Sequence, residues 1–112
     1  MSNNINLNSN FLYGLKAETI EAIKNIFKQY PQIRQVILYG SRAKGNYKTG
    51  SDIDLAMQGK DLDYQFFSMI ENKLEDLSLP YQIDLSLYDH IDNSELIEHI
   101  NRCGIIFYSS EK

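Results

Sequence analysis

Two aspartates in a short alternating stretch constrain this chain more than any other feature. Residues 52–57 read Asp-Ile-Asp-Leu-Ala-Met. In an extended strand successive side chains point to opposite faces, so Asp52 and Asp54 share one face while Ile53 and Leu55 share the other. Aspartate is disfavoured inside strands. Two carboxylates side by side also repel, and one is driven to protonate unless positive charge lies between them. A strand built this way either presents a solvated face or holds cations.

A later stretch, Tyr81 to Tyr88, repeats the device. Ile83, Leu85 and Leu87 alternate with Asp84, Ser86 and Tyr88. If the two strands are neighbours, Asp52, Asp54 and Asp84 converge on one patch. Asp89 and Asp92 are rivals for the third place but lie past the apolar alternation. Hard oxygen donors from a few carboxylates, completed by water and substrate phosphates, are what Mg²⁺ selects. Two such ions, roughly 3.5–4 Å apart, activate an attacking oxygen and stabilise a leaving one in a displacement at phosphorus.

Residues 35–39, Gln-Val-Ile-Leu-Tyr, form a short apolar run that predicts a central strand buried on both faces. The run stops at Gly40-Ser41, a strand end, where ligands of α/β sheets usually bind. Glycine admits close backbone approach to a phosphate. A serine hydroxyl and nearby amides can hydrogen-bond its oxygens. The polar loop 42–51 carries Arg42, Lys44 and Lys48 and no acidic residue. It makes a local positive patch, with Arg42 suited to a bidentate phosphate contact and the lysines to point charges.

Apolar spacings of three and four predict a helix over 17–30, ended by Pro31, and another over 62–77, with Phe66, Phe67, Ile70, Leu74 and Leu77 on its buried stripe. A last helix spans 94–103, capped from Asp92-Asn93-Ser94, with Gly104 at a left-handed C-terminal position and a final strand over 105–108. The order predicts an α/β fold with a small mixed sheet and helices mostly on one face.

The 112 residues fit one domain, 1–112, with the Asn-rich 1–10 as a loosely held arm. No room remains for a separate acceptor domain. A net charge of −4 argues against broad nucleic-acid binding, which rests on neutralising phosphates. The single cysteine, Cys103, and the lack of a long apolar run or signal peptide point to a soluble, cytoplasmic protein. Cys103 reads as a core or partner-facing side chain. His90 and His99 lack metal-ligand spacing and read as surface residues, and Tyr47 as an exposed loop tyrosine.

Gly40-Ser41, ten residues, then Asp52-Ile53-Asp54 resembles the G-S-x10-D-x-D pattern of the DNA polymerase β-like nucleotidyltransferases. Leu-Tyr-Gly-Ser-Arg-Ala-Lys-Gly followed by Gly-Ser-Asp-Ile-Asp-Leu-Ala is similar to their minimal nucleotidyltransferase (MNT) branch, and the likeness spans essentially the whole chain. It departs in having Lys44 where Arg is common and Lys16 where a Ser-like cap is common. The resemblance implies the polymerase β-like palm. It implies that Ser41 binds the triphosphate, that Asp52 and Asp54 hold both Mg²⁺ ions and that Asp84 completes the catalytic-metal site. It also implies transfer of AMP from ATP to a tyrosine of a helical HEPN-type toxin, with the chain as antitoxin in a hetero-oligomer. Two other readings stand beside it: an antitoxin that neutralises by occlusion alone, and a transferase acting on a small molecule such as an antibiotic.

Overall fold

The computed structural model describes residues 11–110, so the arm expected at 1–10 lies outside the described residues. The chain opens with a tight hairpin, β1 (Phe11–Leu12) and β2 (Leu15–Lys16). Its two-residue turn, Tyr13-Gly14, has both residues at positive φ, the arrangement that matches the twist of paired strands. Then come α1 (Ala17–Lys28), β3 (Ile33–Tyr39), the single-turn α2 (Ser41–Lys44), β4 (Ile53–Gly59) and α3 (Tyr64–Glu75). The chain finishes with β5 (Ile83–Leu87), a 3-10 turn (Tyr88–His90), α4 (Ser94–Cys103) and β6 (Ile105–Ser109).

Four strands form one mixed sheet in the order β5-β4-β3-β6. β3 pairs antiparallel with β4 and β6, and β4 pairs parallel with β5. A parallel pair needs a crossover, and α3 supplies it. β3 is buried on both faces, as its apolar run predicts. Val36 and Leu38 face the main core, built from Ile23 and Phe27 of α1, Ile70 and Leu74 of α3, and Ile53, Leu55 and Met57 of β4. Ile37 and Tyr39 face the other way and pack with Ala56 under Ile100 of α4. Two helices therefore cover one face and one covers part of the other, in keeping with the expected mixed sheet.

Boundaries shift in ways the local chemistry explains. The strand expected at 52–57 begins at Ile53, so Asp52 stands just before the ladder. The helix expected over 62–77 starts later, because Asp63 caps it by accepting a hydrogen bond from the Phe66 amide at 2.9 Å. Asn93 caps α4 in the same way, accepting from Glu95 and Leu96. Gly104 is not left-handed: at φ −69° and ψ 151° it passes straight into β6. Glycine is there for space, since a Cβ would run into the Ile100 carbonyl and lie 2.6 Å from Ile37 Cγ2. Among the described residues no helix is long and apolar enough to cross a membrane.

Candidate functional site

The sheet pairing builds the site. Tyr39 stands opposite Asp54 across β3 and β4, and Asp54 stands beside Asp84 across β4 and β5. Three neighbouring strands thus set one row of polar side chains on the face that α4 only partly covers. Asp54 sits half-buried at the centre, while Asp52 and Asp84 are exposed on either side of it.

This crowding shows in the Asp54 carboxyl, whose pKa rises from 3.8 to about 6. Burial is the largest cause, followed by the negative charge of Asp84 and then of Asp52; Arg42 pulls the other way. Tyr39, 7% exposed, has its phenol pushed upward by burial and by the same two carboxylates Asp54 and Asp84, offset in part by hydrogen bonding with the Ser86 side chain.

The glycine turn meets this row directly. Gly40 has φ 78° and ψ −155°, a conformation that side chains rarely adopt. A Cβ there would collide with Asp54 Oδ2 and lie 3.2 Å from its Cγ. The absence of a side chain at position 40 is therefore what lets the Asp54 carboxylate lie against the turn. Ser41 follows at once, half-buried at the start of α2, and the Gly40 carbonyl accepts a hydrogen bond from the Lys44 amide at 3.1 Å. Lys44 and Lys48 are exposed beyond it.

Arg42 has a different place from the one expected of it. Its side chain points inward, and it is the one buried charged residue among the described residues, at 3% exposure. Nε and Nη2 donate to the Ser51 carbonyl at 3.2 and 2.8 Å, and Nη1 donates to the Tyr13 carbonyl at 2.9 Å. The Tyr47 and Tyr81 rings pack on the guanidinium, with centroids 5.2 and 4.8 Å away. The fork that would grip a phosphate is engaged on Ser51, so Arg42 closes the 42–51 loop and ties it to the hairpin. Tyr47 is exposed as expected, at 38%, while its ring also packs on the Arg42 guanidinium.

His99 also differs from its surface reading. It is half-buried, its Nε2 accepts a hydrogen bond from the Gly40 amide at 3.2 Å, and its ring meets Tyr39 edge-on at 6.3 Å. No local pattern announces a contact that spans 59 residues. Tyr39 had a local signal, since it shares strand parity with Ile37 and immediately precedes Gly40.

Asp52, Asp54 and Asp84 are all hard oxygen donors, and the charge on Asp54 is penalised in a way that a cation would relieve. In chemistry the set fits Mg²⁺. Among the described residues, however, no three acidic, histidine or cysteine side chains are closed around a single ion position. Asp54 and Asp84 share a face of the sheet, and Asp52 stands just before the ladder.

The Polymerase beta, Nucleotidyltransferase family matches residues 21–112. The probable protein adenylyltransferase MntA of Haemophilus influenzae is 30% identical over 100 residues, which cover 88% of this chain and 86% of that protein. Among solved structures, a toxin–antitoxin complex with AMP-PNP superposes with a TM-score of 0.66 at 22% identity, covering 82% of this chain and 74% of that one. The complex of a tri-AMPylated Shewanella oneidensis HEPN toxin with its MNT antitoxin gives 0.62 at 20%, covering 84% and 72%. A putative nucleotidyltransferase from Sulfolobus solfataricus gives 0.51 at 21%, covering 86% and 85%. Given the extent of the family match and the likeness to MntA along most of both chains, this protein belongs to the polymerase beta nucleotidyltransferase family.

Proposed function

We propose that this chain transfers AMP from Mg²⁺-bound ATP to a hydroxyl, a tyrosine, of a HEPN-type toxin partner and so acts as its antitoxin. The observation that carries the reading is the Asp54 carboxylate lying against the Gly40-Ser41 turn with Asp84 beside it on the next strand. That arrangement lets one site hold a triphosphate and present several carboxylates to it. The relative named as a protein adenylyltransferase and the solved complex with an AMPylated HEPN toxin support the choice of nucleotide and acceptor.

In this reading the Gly40-Ser41 turn and the Ser41 hydroxyl bind the triphosphate, and exposed Lys44 and Lys48 attract its charge. Asp52, Asp54 and Asp84 would hold two Mg²⁺ ions. When bound, such ions supply Lewis acidity at the α-phosphate and offset the repulsion among the carboxylates. β5 is an edge strand, so the exposed Asp84 faces ground that an acceptor from another chain can reach. The acceptor oxygen forms its bond to the α-phosphorus as the bond to the bridging oxygen breaks. Pyrophosphate leaves, and Asp84 takes the hydroxyl proton.

The test is transfer of radiolabelled AMP from ATP to the purified partner. Wild type should label it, and the double variant Asp52→Asn/Asp54→Asn should not. If both neutralise the toxin equally well, occlusion explains the antitoxin activity and catalysis does not.

A further inference from the structure

We infer that His99 is a positioning residue for the nucleotide cradle: its imidazole holds the Gly40 peptide in the orientation that aims Ser41 at the triphosphate. The functional consequence rests on the nucleotidyl-transfer reading above; the contact itself does not.

The need for such a residue comes from the sheet. On the β6 side, the β3 ladder ends with Leu38 paired to Ile105. Two positions further on, Gly40 lies opposite Cys103, and there the opposite chain is no longer a strand but the end of α4. The half-buried Gly40 amide therefore has no strand partner on that side, and an N–H shielded from water without an acceptor is costly. His99 Nε2 takes that place at 3.2 Å. To accept there the ring must be neutral, with its proton on Nδ1.

The support is stiff. Ile100, 2% exposed, packs under Ile37, Tyr39 and Ala56, and Asn101 Oδ1 accepts a hydrogen bond from the Tyr88 hydroxyl at 2.8 Å. The His99 ring itself rests edge-on against Tyr39. The helix thus presents the acceptor from a fixed height over the turn.

Gly40 then has both of its backbone groups engaged. Its amide is held by His99, and its carbonyl accepts from the Lys44 amide. Glycine has the widest backbone freedom of any residue, so a glycine turn keeps one geometry only when its peptides are held from outside. Removing His99 frees the peptide on the strand side while α2 stays formed. Ser41 and the space occupied by the Asp54 carboxylate then lose their common reference.

Three variants separate this role from plain structural support. His99→Ala removes the acceptor. His99→Gln puts a carboxamide oxygen near the Nε2 position, and His99→Asn puts one only as far as Nδ1. With folding checked by circular dichroism, three quantities are measured: the Kd of a non-hydrolysable ATP analogue with Mg²⁺, KM and kcat for AMP transfer, and exchange of the Gly40 amide. Ala and Asn should raise Kd and KM about tenfold, the loss of one hydrogen bond's worth of binding. They should also speed Gly40 amide exchange, and kcat should stay within about threefold of wild type. Gln should restore both binding and protection. Unchanged Kd in His99→Ala, or a Gln variant as weak as Ala, overturns the inference. A wild type that binds the analogue but labels no partner sinks the transfer reading alone, and the Kd series still decides the role of His99. A wild type that binds no nucleotide overturns both.

Discussion

The Asp54 carboxylate occupies the space that a side chain at position 40 would need. This contact joins the two halves of the site, because one residue belongs to the turn after β3 and the other to the interior of β4. Gly40→Ala should therefore do two things. The positive φ makes any side chain strained, at about 1–2 kcal/mol of stability. The new methyl also pushes the carboxylate aside, which should cost AMP transfer at least about 100-fold if Asp54 holds a cation there. Pairing the change with Asp54→Ala provides the check by thermal denaturation. If the two costs simply add, the residues are not coupled through this contact.

The raised pKa of Asp54 predicts a stability that depends on pH in chelator. With 3.8 as its ordinary value and about 6 in the fold, the native state binds more protons than the unfolded chain between those limits. Stability from this group is full below about pH 4 and is lost as pH rises through about 6. A carboxamide cannot ionise, so the Asp54→Asn protein should escape that loss. Because Asp54 is half-exposed, solvent screening trims the benefit to about 1 kcal/mol at pH 7.5. The difference between wild-type and variant denaturation curves in EDTA at pH 4, 5, 6 and 7.5 isolates this term. A variant no more stable than wild type at pH 7.5, or a difference that is flat across the series, contradicts it. Mg²⁺ should then stabilise wild type and not Asp54→Asn, since a ligand stabilises only the state that binds it.

What could be read beforehand was local. The alternation of Asp54 with Leu55, or of Asp84 with Leu85, is a property of a few neighbouring residues, and strand geometry turns it directly into a face. The polar loop that follows Ser41 is equally legible. What escaped depends on partners distant in the chain. Arg42 looked like a phosphate ligand because its neighbours are basic, yet its partners Tyr13 and Tyr81 come from outside the loop. His99 looked like a surface residue because α4 gives no hint that the β3–β6 ladder runs out beside it. The β1–β2 hairpin left no polar turn signature, since Tyr13 stands where Asn or Asp usually marks a positive-φ turn. Gly104 was placed at the right junction for the wrong reason: a helix end next to glycine suggests a left-handed cap, whereas crowding by Ile100 and Ile37 is what excludes a side chain.

Crowding at Gly104 makes its own prediction. Its backbone is extended, so alanine meets no dihedral penalty there. The obstacle is the Ile100 carbonyl, which belongs to α4 and cannot turn aside as a side chain can. Gly104→Ala should lift the end of α4 and cost about 1–3 kcal/mol, the usual range for overpacking. Ile37→Ala removes Cγ2 and so relieves only the side-chain contact, at a cavity cost of its own. In chemical denaturation the costs of the two single variants should therefore add in the double variant. A double variant no less stable than Ile37→Ala alone would mean that Ile37, and not the helix carbonyl, sets the limit.

Arg42 supplies the sharpest contrast between the charge pattern of the loop and the structure. Its guanidinium is buried, donates to Ser51 and Tyr13, and packs against Tyr47 and Tyr81. Lysine keeps the charge but cannot reproduce the planar fork or the two-sided stacking. Arg42→Lys should cost about 2–4 kcal/mol, because two backbone carbonyls lose their donors and a buried cation loses its match. The loop 45–50 should then become the first site cut by a protease, since its closure depends on Ser51 being held. A phosphate-binding arginine predicts the reverse: little change in melting temperature or cleavage, and a selective rise in KM for ATP. Limited proteolysis and thermal melts of Arg42→Lys in the absence of nucleotide distinguish the two, because no phosphate contact can contribute there.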